Sequence, residues 1–201
     1  MKHRAWWVGF IAHPWVLVSF LILLGVAVRF VQYTSDRPLW ADEAMLTINI
    51  LNRSYRELFT PLDYEQQAPV GFLFVEKWLT TVFGTEETTL RLFPFLASMA
   101  SLVLMAIASM ELLPFGFALL AILLFVFSAP LIYYASEVKP YALDLTVGLL
   151  LTLLSLRLFR TEGRKRRYLM VFLFGIGAVG LWFSQAIVFI LASIGIIGMI
   201  E

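Results

Sequence analysis

The chain contains no cysteine and only two histidines among its 201 residues. Disulfides and thiolate metal sites are thereby excluded, while the redox compartment is left open. His3 and His13 are too isolated to suggest an imidazole metal site. Charge is also scarce. Charged residues make up 14% of the chain, whereas a soluble domain carries roughly a quarter, which excludes an ordinary water-soluble globule. Disorder is excluded by the converse excess, since 61% of residues are hydrophobic. A net charge of +1 leaves no dominant basic face and argues against nucleic-acid binding. No G-x-S-x-G, P-loop or dinucleotide glycine fingerprint is present.

What remains is apolar sequence in blocks, with a mean hydropathy of +0.86. Spanning helices are expected near residues 13–33, 90–113, 117–134, 141–159, 168–184 and 186–200. The expected fold is an all-α polytopic membrane protein, one membrane domain over 1–201 with about six transmembrane helices. The basic start Met1-Lys2-His3-Arg4 lacks a clear cleavage pattern after its apolar run, so a retained helix with a cytoplasmic N-terminus is expected. Arg29, near the outer end of that helix, is expected to snorkel to the interface. Gly175, Gly177 and Gly180 read as sites of close helix packing.

Residues 34–89 form the outer loop, and its part 34–67 is the only long polar segment. Within it Met45, Ile48, Leu51, Tyr55 and Leu58 recur at helical spacing, and Asp42 is placed to cap an amphipathic surface helix. The stretch 68–83 is short for a span and carries Glu76 and Lys77 in its middle, each costing on the order of 2.5 kcal/mol or more at the bilayer centre. A re-entrant or surface helix is expected there. Arg160, Arg164, Lys165, Arg166 and Arg167 form a dense basic loop, assigned to the cytoplasm. Placing that loop on the side of the N-terminus requires 68–83 not to cross. Asp42, Glu43, Gln66, Gln67, Arg91 and the loop 136–144 then share the outer face.

These outer residues can carry chemistry. Asp42 and Glu43 sit beside apolar sequence, where partial desolvation raises a carboxylate toward the range of a useful base; a helix cap with a first-turn acid is the plainer reading. Asp144 falls one turn inside its helix and needs a partner at that depth. Lys139 either binds a phosphate or marks the interface. Arg91 either faces Asp42 or a lipid phosphate, or snorkels.

Four segments in this order resemble the GT-C class of membrane glycosyltransferases, in the bacterial branch of protein O-mannosyltransferases and the lipid A aminoarabinose transferase. Trp40-Ala41-Asp42-Glu43-Ala44 is similar to that class's acidic motif. Gln67-Ala68-Pro69-Val70-Gly71-Phe72 with Glu76-Lys77 is similar to its Pro-Gly segment, and Leu90-Arg91-Leu92-Phe93-Pro94 to its next helix start. Tyr133-Tyr134-Ala135-Ser136-Glu137-Val138-Lys139-Pro140-Tyr141-Ala142-Leu143 is similar to its Tyr-x-x-x-Glu-x-Arg-Pro-Tyr-Ala-Leu loop. Trp182-Phe183-Ser184 stands where the class often has an aromatic turn.

The resemblance implies transfer of a sugar from a polyprenyl-phosphate donor to an extracytoplasmic acceptor, in the plasma (inner) membrane. It implies that Asp42 is the base or orients the acceptor hydroxyl, with Glu43 supporting the loop. It assigns Arg91, Lys139, Glu137, Tyr141, Asp144 and Gln67 to the donor phosphate and substrate. Lys139 stands where Arg is usual and offers a point charge rather than a fork. Some relatives use a divalent metal, for which Asp42 and Asp144 are the oxygen donors available. Full members are longer, so an N-terminal part is expected, with membrane lipids around it and a partner chain supplying missing spans. The alternatives are a non-catalytic protein binding a polyprenyl lipid or a partner, and a small transporter using Glu76, Lys77 and Asp144; no inverted repeat supports the last.

Overall fold

The computed structural model describes residues 14–35 and 37–200, so the basic N-terminal tetrapeptide and both histidines lie outside the described residues. The described chain is helical, with no strand. It consists of α1 (Pro14–Tyr33), α2 (Ala41–Asn52), α3 (Val70–Phe83), α4 (Glu87–Leu90), α5 (Leu92–Leu112), α6 (Phe115–Val126), α7 (Ala129–Tyr134), α8 (Tyr141–Phe159), α9 (Gly163–Gly180) and α10 (Ile187–Ile200). Two 3-10 turns, Glu57–Phe59 and Asp63–Glu65, lie between α2 and α3. Three helices, α1, α5 and α8, are long and apolar enough to cross a membrane.

The long helices form a bundle. α5 packs against α1 and α6 on one side and α8 on the other, and α8 carries α9 and α10. Val18, Leu102, Ile122 and Val126 fill the first half of its core. Leu151, Leu154, Leu173 and Ile187 fill the second. Large side chains such as Phe20, Phe117, Leu124 and Phe189 face outward, as expected of a surface solvated by lipid rather than water. Close packing is glycine-dependent: a Cβ at Gly177 would meet Leu191 at 2.9 Å, and one at Gly180 would meet Ile187 at 2.7 Å. Gly175 differs from the expectation, since a Cβ there meets nothing.

The stretch 117–134, expected as one span, is divided. α6 ends at Val126 and α7 begins at Ala129. Pro130 lacks an N–H and would clash with the carbonyl of Val126 in a continuous helix. The freed carbonyls are taken by Arg29, whose guanidinium donates to Phe125 O (3.2 Å), Val126 O (3.3 Å) and Ser98 Oγ (3.0 Å). Arg29 is therefore fully buried and does not snorkel.

A second layer covers one end of the bundle. Leu46 and Ile50 of α2, Phe72 and Leu73 of α3, Leu90 of α4, and Val138 and Leu143 share one core. Both ends of α3 lie at this end of the bundle. Gly71 N donates to Trp182 O just past α9 (2.7 Å), and past the far end of α3 the Thr88 carbonyl accepts from Tyr33 of α1 (2.9 Å). The opposite end carries the Arg157–Glu111 ion pair and the basic cluster, which differs from the expected loop in that Arg164, Lys165, Arg166 and Arg167 lie in the start of α9.

Candidate functional site

The covering layer places a polar cluster above the starts of α5 and α8. Its scaffold begins at α2. Trp40, not Asp42, is the N-cap, and the Trp40 N–H is accepted by Glu43 Oε2 (2.9 Å). Glu43 has no exposure, and its Oε1 accepts the N–H of Val138 (2.9 Å). One carboxylate thus closes the start of α2 and pins the loop before α8 against it. Arg37 lies beside it, Nη2 3.8 Å from Glu43 Oε2, with its guanidinium carbon 4.3 Å above the Tyr133 ring centre.

This clamp presents Asp42 to Lys139. Asp42 Oδ2 is 2.9 Å from Lys139 Nζ, and Asp42 Oδ1 accepts from Gln66 Nε2 (2.9 Å). Gln66 Oε1 in turn accepts from Lys139 Nζ (2.7 Å), closing a triangle. The hydrogen bonds from Lys139 and Gln66 hold the Asp42 carboxyl below its ordinary value, against a small opposing effect of burial. Gln66 reaches the site because the preceding loop is turned inward. Asn49 of α2 bonds both the N–H and the carbonyl of Asp63 (2.8 and 3.2 Å). Tyr64 and Glu65 then adopt left-handed φ angles of 59° and 55°. Two such non-glycine residues in succession are costly and recur at functional sites.

Glu137, 8% exposed, lies beneath this triangle, and its Oε2 has no hydrogen-bond partner among the described residues. Burial raises its carboxyl above the ordinary value, with Glu43 adding to the rise and Arg37 and Lys139 opposing it. Tyr141 is exposed, meets the Tyr134 ring at a tilt of 58° (4.9 Å between centres), and lies within electrostatic range of Glu137, Asp42 and Asp144. Asp144 is half-buried on α8 beside Ser184, with Oδ1 unpartnered among the described residues.

Not every expected residue joins the cluster. Arg91 is 1% exposed and donates to the Arg37 carbonyl (2.6 Å) while pairing with Glu87 (3.5 Å). It holds the backbone of the acidic loop rather than facing Asp42. Gln67 is exposed, and its neighbour Gln66 occupies the site instead. Lys77 closes the C-terminus of α2 by donating to Ile50 O (2.9 Å), and Glu76 is buried with both oxygens unpartnered among the described residues. Gln66 and Arg37 are the residues sequence reasoning missed. The only signals for them were the paired glutamines and a cation just ahead of the acidic motif.

The donor set does not fit a divalent metal. Lys139 and Gln66 occupy both oxygens of Asp42, and no group of three or more His, Asp or Glu among the described residues is placed to hold one.

α5, α8 and α9 leave an apolar groove of about 770 Å³, lined by Phe93, Ala97, Leu143, Val147, Gly175 and Phe183 among others. Leu143, in the first turn of α8 and four residues after Lys139, is the lining residue nearest in sequence to the polar triangle; none of the triangle's own residues lines the groove. Compared with protein-family models, curated proteins and solved structures, the chain matches none.

Proposed function

We propose that the protein is a membrane glycosyltransferase that moves a sugar from a polyprenyl-phosphate donor to an acceptor on the extracytoplasmic side. The observation that carries this reading is the Asp42–Lys139–Gln66 triangle, whose Lys139 shortly precedes α8, the helix whose Leu143 lines an apolar groove. The groove suits a prenyl chain, Lys139 suits the phosphate joined to it, and Asp42 suits the acceptor hydroxyl.

In the reaction the acceptor oxygen attacks the anomeric carbon and the bond from that carbon to the phosphate oxygen breaks. The acceptor proton goes to Asp42, and the electron pair of the broken bond leaves with the polyprenyl phosphate. That leaving group needs a cation more than a proton, which is the part of Lys139. Lys139 is only 6% exposed and already paired with Asp42, so the donor phosphate competes with Asp42 for it. As the phosphate takes Lys139, Asp42 loses the bond that most depresses its basicity and becomes the better base. Glu43 and Arg91 are positioning residues, holding the loop that bears Asp42.

The accompanying topology has six crossings, α6 and α7 together making one. α3 lies flat at the outer surface. Its 14 residues extend about 21 Å at 1.5 Å each, short of the ~30 Å hydrocarbon core, and it enters and leaves at one end of the bundle. The basic loop at the opposite end is cytoplasmic by the positive-inside rule. Because the chain has no cysteine, Arg56→Cys and Glu162→Cys test this directly. An impermeant maleimide labels the first and not the second in intact cells; equal labelling rejects the topology.

The catalytic test is transfer from synthetic polyprenyl-phosphate sugars by the full chain in liposomes, alone and with candidate partner chains. Asp42→Asn lowers turnover by about 10²-fold or more while donor retention persists. Unchanged turnover rejects Asp42 as the base. A second reading, a non-catalytic polyprenyl-phosphate binder, is favoured by the occupation of both Asp42 oxygens. It requires donor retention with no transfer from any donor offered.

A further inference from the structure

The far end of the bundle holds a second groove that the proposed transfer does not use. It lies between the end of α8, α9 and α10, has a volume of about 470 Å³, and is lined by Leu158, Met170, Phe174, Leu191 and Gly195 among other apolar residues. That volume falls within the roughly 300–1,000 Å³ of ligand sites. Among the described residues, its lining includes one charged residue, Arg166. Arg166 is half-buried, whereas its neighbours Arg164, Lys165 and Arg167 are exposed. An apolar slot therefore ends at a guanidinium in the basic start of α9.

This pairing selects one kind of occupant. A soluble anion has no use for the slot, and a neutral lipid has no use for the cations. We propose that the groove and Arg166 hold an anionic phospholipid from the leaflet beside the basic loop, an acyl chain in the groove and the phosphate toward Arg166. Basic residues at the end of an inter-helix pocket are the arrangement that captures acidic head groups. The site is independent of the chemistry at Asp42.

Glycine geometry supplies a clean way to close the slot. Gly195 lines it, and a Cβ there meets no atom within 4 Å. A side chain can therefore start from Gly195 without a clash at its Cβ, so Gly195→Leu adds bulk to the groove lining, and leucine favours the helix more than glycine does.

The experiment is native mass spectrometry of the full chain released from micelles containing equal phosphatidylglycerol and phosphatidylcholine of the same acyl chains. The protein retains phosphatidylglycerol in preference. Arg166→Gln lowers that preference about fivefold, equivalent to about 1 kcal/mol for one basic residue near anionic lipid. Gly195→Leu abolishes retention while circular dichroism and thermal unfolding show a folded helix bundle. Equal retention of both lipids by the parent, or unchanged retention in either variant, overturns the proposal. So does a dimer that Gly195→Leu dissociates, because the groove then seats a second copy of the chain.

Discussion

Asp42 Oδ2 and Lys139 Nζ stand 2.9 Å apart, the aspartate side chain 56% exposed and the lysine 6% exposed. The pair is asymmetric, a buried cation beneath a carboxylate that water reaches. Removing the two partners therefore has unequal effects. Lys139→Met leaves Asp42 solvated and lowers stability by about 1 kcal/mol or less, the scale of an exposed pair. Asp42→Ala leaves a buried ammonium with Gln66 alone and costs about 2 kcal/mol. Thermal unfolding in detergent micelles measures both. Equal losses would show that the lysine is as well solvated as its partner.

The two carboxyls of this cluster give opposite pH dependences. Asp42 has its carboxyl depressed by Lys139 and Gln66, so its stabilisation is present above its unfolded value and is lost as pH falls through the folded one. Glu137 is raised by burial and by Glu43. Its ionisation costs nothing well below the ordinary 4.5, and the cost grows as pH rises from there through the raised folded value. Glu137→Gln is therefore more stable than the parent at neutral pH and level with it near pH 4. Melting temperatures of the two proteins across pH 4–8 check this, and parallel curves reject it.

Arg29 joins α1 to the break between α6 and α7. Its guanidinium serves two adjacent carbonyls at that break, Val126, whose helical partner Pro130 cannot supply, and Phe125 beside it. Arg29→Met strands both acceptors in an apolar core and lowers stability by about 3 kcal/mol. Arg29→Lys recovers only part of the loss, because an ammonium on a flexible stem does not reproduce the planar fork. Thermal unfolding of the three proteins ranks them, and a lysine variant as stable as the parent would remove the case for the fork.

Most of the helical framework was legible in the sequence. Apolar blocks and their lengths located α1, α5 and α8, because burial in lipid requires the same composition along the whole helix. The polarity of Glu76 and Lys77 set α3 apart in the sequence, and α3 is not among the three described helices that meet the length and apolarity of a span. Arg29 misled, because an arginine near a helix end reads as a snorkelling side chain until the carbonyls opposite it are known. Pro130 was visible, but hydropathy alone ran through it. At the site, Asp42 and Lys139 were legible as residues yet not as a pair, since nothing local links positions so far apart in the chain. Gln66 escaped because the choice between adjacent glutamines depends on two left-handed residues, Tyr64 and Glu65, that no composition rule anticipates.

Two glycines separate packing from cavity. A Cβ at Gly71 would lie 2.5 Å from the carbonyl oxygen of Trp182, a backbone atom that cannot rotate away. The same carbonyl accepts the Gly71 N–H, so Gly71→Ala forces α3 off the turn after α9 and breaks that bond. A loss of about 2 kcal/mol is expected from the overpacking and the stranded groups together. Gly175 lines the groove between α5, α8 and α9, and a Cβ there meets nothing. Gly175→Leu therefore keeps or raises the melting temperature, since leucine is the better helix former, while it occupies the space proposed for the prenyl chain. Binding of a fluorescent polyprenyl phosphate should weaken at least tenfold in Gly175→Leu. A variant that melts like the parent and binds the lipid equally well would place the prenyl chain elsewhere.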